Sequence, residues 1–384
     1  MEPTLSKQMT DASSLNRPDR IRLAFPFVGE EELAAVGEVL RSGWLSQGPK
    51  VKVFERKFAE FVQAKHAIAV SSCTTALELA IMGLTHLNDI ASHAVVPAFT
   101  FPATANAAIQ AGLVPVPADV DKATYVMSEQ HARRVITENA GLVIPVNLFG
   151  QMTDIEPIVE MCRSKDYHVV EDSACSLGSE YRGTRRLLTD AACYSFDPRK
   201  LVTTGTGGML VTNDDELAFL ARCLRDYGRD EDGVFRMPGH NLKMSDIQAA
   251  IGLVQLEKID SIIAQRRKQA RLYGELLEGN EFVTTPFEAP WCKHNYQSYV
   301  IRLDAKTNRH LLIKMLKNEF GIETNIGTYC LSDIEYVRVD PSMVPNSREL
   351  GRCTLTLPLF HTMTEDQQRY VAESLKKAHA SLAG

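Results

Sequence analysis

No two of the eight cysteines form a Cys-x-x-Cys pair, and none is spaced from a histidine as a zinc finger requires. In a chain of 384 residues, Cys73, Cys162, Cys175, Cys193, Cys223, Cys292, Cys330 and Cys353 read as free thiols of a reducing compartment, not as a disulfide framework. Long hydrophobic runs are missing too: no stretch reaches the roughly 18 apolar residues of a membrane-spanning helix. Residues 1–20 are polar, with Lys7, Asp11 and Asp19, and lack the apolar stretch of a signal peptide, so they are expected to be a flexible tail. There is no long basic run, and the formal net charge is -6. That argues against a nucleic-acid polymer or an anionic membrane as the main partner and leaves small anionic ligands open. Neither an internal repeat nor a low-complexity segment is found. What remains is a cytoplasmic globular protein whose length suggests two domains and whose 45% hydrophobic residues can bury a large core.

From Val51 onward, helical and strand-like stretches alternate. Val51, Phe54, Phe58, Phe61 and Val62 recur at helical spacing, and Ala67–Val70 then reads as a buried strand. A helix over Thr74–Leu84 follows. Further strand-like runs are Ala94–Pro97, Leu113–Ala118, Leu142–Asn147, Tyr167–Glu171, Cys193–Phe196 and Met209–Thr212. Helices are expected over Phe101–Ala111, Ile155–Ser164 and Asp215–Arg225. Near-continuous apolar strands separated by helices imply a mostly parallel sheet covered on both faces, hence an α/β fold. A long helix begins at Asp246, with Ser245 and Gln248 at capping-box spacing. Beyond it the pattern changes to Ser298–Leu303, a helix over Asn308–Phe320 closed by Gly321, Ile322–Ile326, Thr354–Leu359 and a last helix from Thr364. The expected organisation is a large domain over 21–280 and a small α+β domain over 281–384.

Four motifs could carry chemistry. Tyr167–Asp172 ends a buried strand with two carboxylates, where open α/β sheets bind ligands; Asp172 either faces a ligand or caps the next turn. Ser195–Lys200 precedes a Gly-rich turn containing Gly205, Gly207 and Gly208. Lys200 is either a desolvated nucleophile of lowered pKa or a solvated loop lysine beside Arg199. Ser71–Ala76 lies at a strand-to-helix junction that suits a phosphate or a plain N-cap. Pro97–Ala107 sets aromatics beyond another strand end, and Phe101 could stack on a flat ring or belong to the core.

In this order the motifs resemble the DegT/StrS-type sugar aminotransferases, a branch of the fold-type I pyridoxal-phosphate (PLP) enzymes. The resemblance runs from about Gly43 to the end. It includes W-L-S-Q-G-P-K-V at 44–51, N-L-F-G-Q at 147–151, N-L-K-M-S-D-I-Q-A-A-I-G at 241–252, N-Y-Q-S-Y-V-I-R at 295–302 and L-P-L-F at 357–360. It implies a fold-type I aminotransferase architecture and PLP as cofactor, with pyridoxamine phosphate as the alternate form. Lys200 would carry PLP as a Schiff base, Asp172 would face the pyridine nitrogen and Phe101 would stack on the ring. Thr74, Thr75 and Ser195 would bind the phosphate, and Cys175 would lie near the ring hydroxyl. Asn241 would reach the phosphate of the neighbouring subunit, which implies a homodimer with shared sites, and Tyr329 would contact substrate. The implied reaction moves an amino group from an amino acid, L-glutamate, to a keto sugar that is usually nucleotide-linked.

The sequence departs from the family pattern at four positions. Cys73 stands where glycine is usual, Cys175 replaces Gln, Glu or His, Asp197 replaces His and Thr206 replaces Glu. Within PLP chemistry, a cyclitol substrate stays open. A sugar dehydratase would carry His in place of Lys200. A non-catalytic regulatory or binding protein is the remaining alternative, and the intact Lys200 and Asp172 count against it.

Overall fold

A computed structural model describes residues 20–88 and 90–383; the tail expected over 1–20 lies, but for Arg20, outside the described residues. Strands β1 (His66–Val70), β2 (His93–Pro97), β3 (Val114–Ala118), β4 (Ala140–Val143), β5 (His168–Asp172), β6 (Ala191–Ser195) and β7 (Gly208–Thr212) form one sheet. Their order is β1-β7-β6-β5-β4-β2-β3, and only the pairs made by β7 are antiparallel. This is the mostly parallel sheet of the fold-type I architecture.

Eleven α-helices are found among the described residues: α1 (Glu30–Ser42), α2 (Pro49–Phe61), α3 (Cys73–Leu87), α4 (Ala103–Gln110), α5 (Glu129–Val135), α6 (Ile155–Arg163), α7 (Asp215–Arg225), α8 (Asp246–Leu277), α9 (Arg309–Phe320), α10 (Pro345–Cys353) and α11 (Glu365–Ala383). Alternate residues of each strand bury opposite faces of the sheet. Ile68, Val70, Ala94, Val96 and Val170 pack with Leu77 and Ala80 of α3, Ala105 of α4 and Leu217 of α7. Their strand neighbours face the other way. Val95, Val143 and Val169 meet Ile158 of α6, and Ala67, Ala69 and Val211 meet Phe54 and Phe58 of α2 and Ile259 of α8. Burial on both faces is why these strands read as apolar runs without polar alternation.

Ser245 caps α8 as its spacing predicts: its Oγ accepts from the Gln248 N–H, and Gln248 Oε1 accepts from the Ser245 N–H. The buried Asp246 carboxylate accepts from the N–H groups of Gly48, Lys50 and Val51, tying the start of α8 to the start of α2. The 32 residues of α8 run from the large sheet to a second core, where Tyr273 and Leu277 meet Tyr299, Ile301 and Leu355. That core covers a four-stranded antiparallel sheet of β8 (Val283–Thr284), β9 (Tyr299–Leu303), β10 (Asn325–Ile326) and β11 (Thr354–Leu357), in the order β8-β9-β11-β10.

Packing crosses the sequence boundary expected at 280 in both directions. Ile21 and Phe25 join the second core, held by backbone bonds from the Ile21 N–H to Gly321 O and from the Glu323 N–H to Ile21 O. Leu331 and Val337 join the first. A short ribbon pairs Phe99–Thr100 with Tyr329–Cys330 and so carries Tyr329 back over the large sheet.

Candidate functional site

Strands β5 and β6, the turn after β6 and the N-terminus of α3 converge on a cavity of about 410 Å³. Asp172, Cys175, Ser195, Lys200, Thr74, Phe101 and Tyr329 all line it. Thr75 and Asn241 do not. The Thr75 hydroxyl turns back on the helix cap and donates to Ser72 O at 2.8 Å, and Asn241 is exposed, bridged to Asp226.

The segment Asp197-Pro-Arg-Lys200 folds as a turn closed by the Lys200 N–H on Asp197 O at 2.8 Å. A turn sends successive side chains different ways. Arg199 goes to solvent, whereas the Lys200 ammonium enters the cavity and donates to Cys175 Sγ at 3.1 Å. Lys200 is therefore not a solvated loop residue. Its pKa departs from the lowered value that desolvation alone predicts. Burial pulls it down, but the neighbouring Cys175, Cys73 and Asp172 together outweigh burial, and the net direction is upward.

Asp172 satisfies both sequence readings. Its Oδ1 accepts from the Ala174 N–H at 3.1 Å, which caps the turn, while the side chain lies on the cavity floor. Its Oδ2 accepts from Thr104 Oγ1 at 2.7 Å. Burial pushes the Asp172 carboxyl up; the Thr104 hydroxyl, the Ala174 N–H and the Lys200 ammonium oppose that rise. The neighbouring Glu171 points away from the cavity to Asn147 and Thr189.

Ser72 is the N-cap of α3, its Oγ accepting from the Thr75 N–H at 3.1 Å. The N–H groups of Cys73 and Thr74 stand in the first turn, where a helix offers no internal acceptor, so they face the cavity as donors for an anion. Gly208 makes room for this turn, since a Cβ there would stand 2.3 Å from the Ser72 carbonyl. Phe101, more than half exposed, meets the Tyr329 ring edge-on at 5.9 Å. These groups fit a phosphorylated aromatic aldehyde: N–H donors for its phosphate, a carboxylate for its ring nitrogen, a ring for its face and an amine for its carbonyl.

Several supporting residues escape sequence reasoning. Asn295 Nδ2 donates to Cys175 O at 3.1 Å and Leu177 O at 2.9 Å, and Gln297 Nε2 donates to Arg199 O at 2.9 Å. The N-Y-Q-S segment thus clamps both loops that frame Lys200. Beside it, His294 is buried and its Nδ1 accepts from the Tyr296 N–H at 2.8 Å. Burial lowers its pKa from 6.5 to about 3. Because the unfolded chain binds this proton at a higher pH than the folded chain, the stabilisation is fully present above pH 6.5 and drains away as pH falls towards 3. The expected slope is at most about 1.4 kcal/mol per pH unit. Urea midpoints measured across this window should show that loss, and His294→Gln should flatten it.

The fold and this constellation define a pyridoxal-phosphate-dependent aminotransferase of fold type I. The sequence profile of the DegT/DnrJ/EryC1/StrS aminotransferase family matches residues 26–376, and the chain belongs to that family. GDP-perosamine synthase of Caulobacter vibrioides is 38% identical over 315 residues, covering 79% of this chain and 83% of that protein. The aminotransferase TlmJ from Streptoalloteichus hindustanus is similar with a TM-score of 0.88 at 31% identity, over 95% of this chain and all 100% of that one. The PMP form of the putative sugar aminotransferase Spr1654 from Streptococcus pneumoniae gives 0.88 at 25% identity, over 95% and 98% of the two chains. Among the described residues no helix is long and apolar enough to cross a membrane.

Proposed function

We propose that this aminotransferase moves an amino group from L-glutamate to the keto group of a nucleotide-linked deoxysugar, in the cytoplasm, as a homodimer. The observation that carries this reading is the meeting of Lys200 and Asp172 in one cavity beside the first turn of α3. When bound, PLP supplies the carbonyl that accepts the amino group and the ring that takes up electrons. Lys200 would hold it covalently through Nζ and give way to the donor's amine. The freed Nζ then takes the proton from the donor's α-carbon and later gives it up again. Asp172 holds a proton at the ring nitrogen. The Cys73 and Thr74 N–H groups, with Ser195, hold the phosphate, and Phe101 covers the ring. Arg199 at the cavity's edge offers a guanidinium to an anionic substituent of the sugar.

The test is transfer of label from ¹⁵N-glutamate to a panel of nucleotide-linked keto sugars, followed by mass spectrometry. Labelled aminosugar with matching 2-oxoglutarate is expected. Transfer only to keto cyclitols would overturn the sugar assignment. The exposed Asn241, which does not line its own cavity, supports a site completed by a second subunit. Mixed Lys200→Ala and Asn241→Ala dimers carry one intact site each, so mixing should restore up to about a quarter of wild-type activity. Activity no higher than the average of the two variants would contradict shared sites.

A further inference from the structure

We propose that Thr104 is a positioning residue for Asp172: its hydroxyl, backed by that of Thr100, fixes the orientation of the carboxylate and holds it as an anion on the cavity floor. The inference rests on the reading of Asp172 as the partner of the cofactor's ring nitrogen.

Thr104 stands in the first turn of α4 and is fully buried, 68 residues away in sequence from the acid it touches at 2.7 Å. Thr100 is buried behind it, the two hydroxyl oxygens 3.2 Å apart. A hydroxyl has one proton to give. A carboxylate can only accept, so Thr104 gives its proton to Asp172 Oδ2 and must accept from Thr100. The chain therefore runs one way, from Thr100 through Thr104 to Asp172. With Oδ1 held by the Ala174 N–H and Oδ2 by Thr104, both oxygens are pinned and the carboxylate plane cannot swing. Each oxygen keeps a lone pair for a ligand. The other groups around this acid are the Lys200 ammonium and the thiols of Cys73 and Cys193. Among the described residues, Thr104 is the one side chain that hydrogen-bonds to Asp172. Thr100 also belongs to the ribbon paired with Tyr329, so the chain ties the acid to the segment that closes over Phe101.

Thr104→Val keeps the shape and deletes the hydroxyl; Thr104→Ser keeps the hydroxyl. Three readouts are compared in these variants and in Asp172→Asn: the PLP dissociation constant of the cofactor-free protein, the pH titration of the bound cofactor's absorbance, and kcat against KM for L-glutamate. Thr104→Val should lower kcat roughly tenfold or more with KM little changed, since a hydrogen bond to a charged group is lost. It should also weaken PLP binding and shift the pH titration, and Thr104→Ser should restore all three. Thr100→Val should act in the same direction with a smaller effect, and it carries the test if Thr104→Val fails to fold by near-ultraviolet circular dichroism. Unchanged PLP affinity and titration in the threonine variants, with Asp172→Asn altering both, would overturn the role of Thr104. No change in Asp172→Asn itself would overturn the reading of Asp172 beneath it.

Discussion

Lys200→Ala is expected to lower kcat for amino transfer by at least 10²–10⁴-fold, the range that positioned proton transfer contributes, with loss of the covalent anchor in addition. The size of the effect follows from the geometry. Lys200 is the only lysine among the described residues lining the cavity, and it faces Cys175 and Asp172. The turn that aims it is closed by its own N–H, and Gln297 fixes the preceding carbonyl, so no neighbouring amine can swing in as a substitute. Removing the ammonium takes a favourable charge from beside the buried Asp172, whose carboxyl should then rise further, and Asp172 keeps its bonds from Thr104 and the Ala174 N–H. Steady-state assay measures the loss. Borohydride reduction of the PLP-treated wild type followed by peptide mapping should find the pyridoxyl group on Lys200 and nowhere in the variant. A variant retaining more than a hundredth of wild-type kcat would remove Lys200 from the reaction.

Asp172→Asn should cost roughly 10²–10³-fold in kcat, the typical price of removing one pre-organised electrostatic group. The exchange is nearly isosteric, but an amide cannot reproduce the acceptors. Asp172 accepts from both Thr104 and the Ala174 N–H; an asparagine must turn its NH₂ towards one of them or towards the ligand. The charge that opposes deprotonation of the ring nitrogen is lost in either case. Because burial already pushes the carboxyl up, neutralising it removes a desolvation cost, and thermal stability should hold while activity falls. Paired measurement of kcat and melting temperature checks this; equal losses in both would mark Asp172 as structural.

Much of this arrangement was legible in the sequence. Asp215–Arg225, the Ser245–Gln248 cap and the helix closed by Gly321 (φ 67°) fall where spacing puts them, because local signals set them. Elsewhere tertiary contacts override periodicity. The apolar run Leu142–Asn147 yields a strand only to Val143, since Pro145 has no N–H for the ladder, although the Asn147 N–H still donates to Asp172 O. The helix expected from Phe101 starts at Ala103, because Phe99–Thr100 pairs with Tyr329–Cys330 and Phe101 is turned outward. At the site, Asp172 stands at a strand end and Lys200 in the turn after the next strand, before the glycines, positions that pattern reveals. Thr104, Asn295 and Gln297 lie in segments that the family resemblance covers but were assigned no role, since their partners lie 68, 120 and 98 residues away. The burial of Lys200 was one of the two readings the sequence left open, and its consequence was not foreseen. Its three neighbours come from α3, β5 and the loop after β5, so only the folded chain reveals the charge balance that reverses the shift.

The most direct test of the account is the visible absorbance spectrum of the purified protein with PLP, recorded before and after L-glutamate, beside Lys200→Ala. The account predicts a Schiff-base band that gives way to the pyridoxamine form on adding glutamate and that is altered in the variant. A well-folded protein that shows no such band, or the same band without Lys200, would contradict it.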